Sequence, residues 1–306
     1  MTTAMWLLVY GAALTWLAPG PLGRLTRCGV APRLGVGAWL TAIVAALLAW
    51  LCALGLLFSA AVRSLSDSTA VTLCLELFGL SNHTAVPGQV GAMALMGIGA
   101  LASAVIAQRV SSSMIGLRAR SHDHARAARI IGRRTERSDV VIIEARRPAA
   151  YCVMGRPHAI VVTSGALSSL NPLELAAVLA HEQAHISGRH HELLMLLRAL
   201  AANLPKLPLF TQGAAGVADL LEMCADDVAV RRVGIRPLLA GLLTLADPHA
   251  PLPDAMAAGT TAVYARVLRL ADPAHAVTRW RHRLILTATI TLTACTPALI
   301  DLLCHH

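Results

Sequence analysis

Residues 177–197 read "AVLAHEQAHISGRHHELLMLL". His181 and His185 stand four apart, so on a helix both imidazoles leave one face and meet a single ion. Glu182 projects beside them, where a carboxylate can take a proton from water at that ion. The residues are those of H-E-x-x-H, and the ion implied is zinc. Two histidines leave a third protein ligand to be found. His191 offers itself at once, because it completes H-E-x-x-H-x-x-G-x-x-H.

The stretch N-terminal to the motif predicts a helix. Asn171 caps, Pro172 suits the first helical position and Glu174 closes a capping box, so the helix starts near Pro172. Beyond Gly188 the spacing of Leu193, Leu194, Leu196, Leu197 and Leu200 continues a helical apolar pattern. A lone Gly costs a helix only about 1 kcal/mol against Ala. On such a continuous helix His191 falls about 240° round from His185 and cannot share its ion. The secreted metzincin signature, which needs Gly188 to end the helix so that the chain turns back, is then an accident of sequence. Glu222, in "GVADLLEMCADDVAVRRVG" (216–234), is the preferred third ligand. With Asp226 four residues on, it makes the gluzincin pattern, in which Glu binds zinc and Asp holds a ligand imidazole from behind.

Before the motif helix lie "DVVIIEA" (139–145), "AAYCVMG" (149–155) and "AIVVTSG" (159–165), separated by "RRP" and "RPH". They predict three antiparallel strands. A compact α+β domain is therefore expected over residues 138–283. A helix ends at Gly234, and another follows Pro237.

The rest of the chain is apolar. Of 306 residues 56% are hydrophobic and 14% charged, with a mean hydropathy of +0.61, whereas soluble domains carry about 25% charged residues. Four stretches approach the roughly 20 apolar residues that cross a bilayer as a helix. They are 4–18, the segment centred on "GAWLTAIVAALLAWLCALGLLF" (37–58), "QVGAMALMGIGALASAVIA" (89–107) and "LILTATITLTACTPALIDLL" (284–303). The first lacks a basic leader and a cleavage site, so it reads as a retained span. Residues 64–88 form the loop between the second and third spans, and 108–137 a basic helical connector.

Charge sets the orientation. Arg24, Arg27 and Arg33 follow the first span. A run from Arg109 to Arg134 follows the third, and Arg279, Arg281 and Arg283 precede the fourth. The loop after the second span carries Arg63. Arginine-rich loops stay cytoplasmic, so residues 108–283 are expected inside and both termini outside. The net charge of +9 then belongs beside anionic lipid headgroups, and direct nucleic-acid binding is not expected. Seven cysteines with no C-x-x-C pair predict free thiols. Cys224 lies next to a proposed ligand, with packing as its expected role.

The segment 150–185, "AYCVMGRPHAIVVTSGALSSLNPLELAAVLAHEQAH", together with "EMCADDVAV" (222–230) and the flanking spans, resembles the BlaR/MecR-type family of integral-membrane zinc peptidases. The resemblance implies a multi-pass protein of the bacterial plasma membrane with a cytoplasmic zincin-like domain. It implies zinc on His181, His185 and Glu222, with Glu182 as base and Asp226 behind the ligands. It also implies that "AIVVTSG" lies beside the cleft and pairs with an extended substrate. The substrate class implied is a cytoplasmic winged-helix repressor of the BlaI/MecI type. Antibiotic-sensing members carry a penicillin-binding domain after the last span, and only a few residues follow here. Activation is then expected through the spans, the external loop or a partner. An HtpX/CAAX-type quality-control protease and an inactive membrane scaffold are the alternative readings.

Overall fold

The computed structural model describes residues 2–77, 87–155, 157–246 and 254–305. Proline opens most of the long helices, where its missing N–H costs nothing and its fixed φ suits the first turn. Helix α1 (Thr2–Leu17) is followed by α2 (Pro19–Thr26), bent from it by 47°. Then come α3 (Pro32–Leu77) and α4 (Pro87–Ile131). The 46 residues of α3 would extend about 69 Å at 1.5 Å per residue, more than twice a hydrocarbon core of about 30 Å.

Among the described residues, three helical segments are long and apolar enough to cross a membrane: Pro32–Ala60, Gly97–Ile131 and Ala276–Leu302. The bent α1–α2 pair makes a fourth if it counts as one span. Large apolar side chains such as Trp16, Leu48, Leu51, Leu101 and Leu292 point outward from these helices, as a lipid-facing surface requires. The expected loop at 64–88 is in part helix, since α3 continues to Leu77. Its remainder, 78–86, lies outside the described residues. The third span runs on into the connector as one helix, α4, which ends at Ile131, and the connector's end carries β1 at Arg133–Arg134.

After α4 the chain forms β1 (Arg133–Arg134), β2 (Val140–Ile143), β3 (Ala150–Val153) and β4 (Ala159–Thr163). The order across the sheet is β1-β2-β4-β3. The expectation of three antiparallel strands is corrected here: β2 and β4 pair in parallel, and β3 and β1 add antiparallel edges. Burial explains this arrangement. Ile160 and Val162 of β4 pack with Val178 towards the motif helix, while Val161 packs with Ala125 and Ala128 of α4. A strand covered on both faces is the usual place for parallel pairing. The second correction follows. β4, the strand of "AIVVTSG", is central and wholly buried, and the edge strand beside the motif helix is β3.

The remaining helices are α5 (Ser164–Ser169), α6 (Pro172–Ser187), α7 (His190–Asn203), α8 (Pro208–Val233), α9 (Ile235–Leu245), α10 (Asp254–Ala271) and α11 (Ala276–His305). The largest core cluster joins α3 to α8, with Trp39 and Ile43 against Phe210, Val217 and Leu220. Trp39 seats over Gly213 and Gly216, where an added Cβ would stand 3.3 Å from the indole. Full burial of each such large side chain stabilises by about 1.5–3 kcal/mol. The N-terminal half of α8 is thereby held against an apolar helix. Its C-terminal half reaches the site.

Candidate metal centre

Helix α6 begins as its sequence dictates. The Asn171 side chain accepts from the N–H groups of Leu173 and Glu174, and Glu174 accepts from the N–H of Asn171. His181 and His185, four residues apart and buried, share one face of it. Glu222 meets them from α8. His181 Nε2 lies 3.4 Å from Glu222 Oε2, His185 Nε2 lies 3.4 Å from Glu222 Oε1, and the two Nε2 atoms are 3.1 Å apart. A tetrahedral zinc with ligands at about 2.0–2.1 Å spaces its donors about 3.3 Å apart. The three side chains therefore fit zinc by spacing and by donor type, two imidazoles and a carboxylate.

Behind the ligands the contacts are charged. His181 Nδ1 lies 3.1 Å from Asp226 Oδ1, close in distance but off the line of a well-directed N–H···O bond, as the atom otherwise has no hydrogen-bond partner. Asp226, fully buried, accepts two bonds from Arg266 of α10, from Nε at 2.8 Å and from Nη2 at 2.7 Å. Arg266 Nη1 lies 3.1 Å from Glu222 Oε2. One buried guanidinium thus faces both carboxylates. The sequence reading missed Arg266, although a signal was present. Val263, Arg266 and Leu270 share a helical face, and an arginine on a buried face demands a buried acid.

The region after His185 corrects the expectation of a continuous helix. α6 ends at Ser187, Arg189 takes a left-handed conformation with φ 52°, and α7 starts at His190. Gly188 makes this corner possible, since a Cβ there would stand 2.4 Å from His190 Nε2. The turn brings His190 Nδ1 to 3.0 Å from His185 Nδ1. If His185 donates from Nδ1, its Nε2 lone pair is left for the ion. His191 does enter the site, with ring centroids 6.0 Å from His185, but it stands outside the three-ligand cluster.

Glu182 stands apart from that cluster. Its Oε2 accepts from the Cys152 N–H of β3 at 2.8 Å, so the carboxylate is oriented by the edge strand. The Cys152 thiol lies 3.8 Å from His191 Nδ1. Cys152, rather than Cys224, is the cysteine lining the cavity of about 400 Å³ that holds His181, Glu182, His185, His191 and Glu222. Both cysteines are buried, and Cys28, Cys52, Cys152, Cys224 and Cys295 are free thiols.

The electrostatics are strongly coupled. Burial alone would lower the His181 pKa, but the Asp226 and Glu222 carboxylates outweigh it and carry it up to about 9. Burial would raise the Glu222 pKa, yet the two imidazoles and Arg266 hold it well below the usual carboxylate range. Asp226 is likewise lowered, its burial being overcome by Arg266 and His181. Burial and the neighbouring His185 push His190 down to about 4, so it is neutral at pH 7. Burial, with the Glu182 charge beside it, pushes the Cys152 thiol up.

Residues 117–244 match the model of Peptidase family M48. The matched segment is less than half of the chain. It includes both histidines, Glu182, Glu222 and Asp226, and stops before α10 and Arg266. The match supports a zinc-dependent metallopeptidase activity. No curated protein and no solved structure matches the chain.

Proposed function

We propose that the protein is a multi-pass membrane zinc endopeptidase, with His181, His185 and Glu222 as ligands, Glu182 as general base and Asp226 orienting His181. The observation that carries this is the donor spacing of 3.1, 3.4 and 3.4 Å among the three side chains, inside a segment matching a peptidase family. Zinc, when bound, supplies a Lewis acid that polarises the scissile carbonyl and acidifies water.

The chain's own groups do the rest. The edge strand β3 offers backbone groups to an extended peptide. Glu182, held by the Cys152 N–H, takes the proton of the attacking water and passes it to the leaving amine. The Asp226 charge, 3.1 Å from His181 Nδ1, and the His190 ring, 3.0 Å from His185 Nδ1, favour the tautomers that turn Nε2 to the ion.

The arginine distribution supports a cytoplasmic placement of residues 108–283 with both termini outside. The motif pair at 150–185 and 222–230 supports a BlaR/MecR-type role, with a BlaI/MecI-type winged-helix repressor as substrate. A second reading, membrane quality control of the HtpX/CAAX type, gains from the packing of α8 on α3. It gains also from a cavity of about 420 Å³ beside Glu222 whose wall includes Thr26 and Trp39. That cavity favours a substrate presented at the membrane.

Comparative proteomics of cells carrying the wild type or Glu182→Gln tests both. The variant should retain zinc and lose at least about 10²-fold in cleavage. Accumulation of a soluble DNA-binding repressor supports signalling, and accumulation of membrane proteins supports quality control. Cleavage near the wild-type rate by the variant would remove Glu182 from its role.

A further inference from the structure

The zinc-site cavity does not end at the ligands. A second cavity, of about 460 Å³, adjoins it along β3, and the two share Ser121 and Met195 in their walls. The residues just past the strand's end, Met154 and Gly155, form one side, and α4, α7 and the turn before α7 form the other. Ser121 Oγ donates to the Met154 carbonyl at 2.7 Å, which pins the end of the strand to α4. A groove therefore runs from Glu182 past Cys152 towards Gly155.

Its rim is basic. Arg118 and Arg189 line the far cavity and Arg198 the near one. All three are exposed, and none has an ion-pair partner among the described residues. The left-handed turn at Arg189 that ends α6 is what puts this side chain on the rim. Glu192 is the one carboxylate among the described residues that line the far cavity.

We propose that this groove selects substrates with acidic side chains on one flank of the scissile bond. The inference rests on the peptidase reading above. A strand advances about 3.3 Å per residue, so the strand's last residue, Val153, lies about 3 Å along the edge from Cys152, which marks the position of the base, and Met154 and Gly155 follow within about 10 Å. An extended peptide pairing there places residues two to four removed from the cut beside Arg118 and Arg189. Anionic lipid headgroups share the same chemistry. The peptide is favoured because these arginines line a cavity continuous with the site and beside an edge strand.

The test uses the full-length zinc-loaded protein in nanodiscs of uncharged phosphatidylcholine, given a proteome-derived peptide library whose cut sites are read by mass spectrometry. Asp and Glu should be enriched two to four residues from the cut on one flank. A selected acidic peptide should exceed its Asn/Gln counterpart about three- to tenfold in kcat/KM, the scale of two exposed ion pairs. That ratio should fall towards one as salt rises from 0.05 to about 0.5 M. In Arg118→Glu/Arg189→Glu it should fall to one or below. Cleavage with no acidic enrichment and no salt dependence overturns this proposal and leaves the peptidase reading standing. A flat library with Arg118- and Arg189-dependent binding to anionic vesicles also overturns it, in favour of the membrane. No cleavage by wild type beyond that of Glu182→Gln overturns both.

Discussion

Arg266→Met is the sharpest perturbation of the site that avoids the ligands. Arg266 is buried and makes two bonds to Asp226, at 2.7 and 2.8 Å, and a 3.1 Å contact to Glu222. Methionine fills most of the space and supplies none of these. Asp226, fully buried, is left with the His181 ring as its remaining charged contact. Removing one partner of a buried pair costs about 3–5 kcal/mol, a large share of the about 5–15 kcal/mol that separates folded from unfolded proteins. Glu222 and His181 lose the group that fixes them, which should weaken zinc binding about 10–100-fold. Unfolding followed in detergent by circular dichroism reads the first effect, and chelator competition the second. Asp226→Asn combined with Arg266→Met should be less damaging than the two single losses summed, with a coupling of about 1–3 kcal/mol. If Arg266→Met holds its stability within about 1 kcal/mol and its zinc affinity within about twofold, the buried triad is not what positions the site.

Two further predictions concern pH and topology. In the metal-free protein His181 titrates near 9, above its ordinary 6.5, so its protonated form contributes stability that is complete below 6.5 and lost as pH rises to 9. Stability of the metal-free protein should fall over that window, while apparent zinc affinity climbs by up to about tenfold per pH unit, because zinc must displace the proton. Calorimetry with and without zinc checks both signs, and a flat profile contradicts them. A reporter fused near Ser138 should behave as cytoplasmic and one after His306 as external. An external Ser138 reporter would invert the orientation and remove a cytoplasmic substrate.

Much of the site was legible because its logic is local. The capping box at Asn171 and Glu174, the four-residue spacing of His181 and His185, and that of Glu222 and Asp226 are helical periodicities within one turn. The break at Gly188 had its signal in the metzincin spacing, which the leucine pattern outweighed. The leucine pattern continues across it, and what turns the chain is the close approach of the His190 ring to a residue without Cβ. That corner places His190 behind His185 and lets His191 line the cavity without joining the ligands. The parallel pairing of β2 and β4 had a signal in the unbroken runs "VVII" and "IVV", which suit strands covered on both faces, but edge and centre depend on what packs above and below. Arg266 stands 40 residues from Asp226, and no spacing rule links two helices that far apart. Its position on an apolar face was the clue.

The ligand set is the centre of the account, and metal content per chain tests it most directly. Purified in detergent, the wild type and His191→Ala should each hold about one zinc, as the three-ligand site accommodates one ion. Glu222→Ala should lose it. Zinc retained in Glu222→Ala and lost from His191→Ala would contradict the assignment and return the third position to His191.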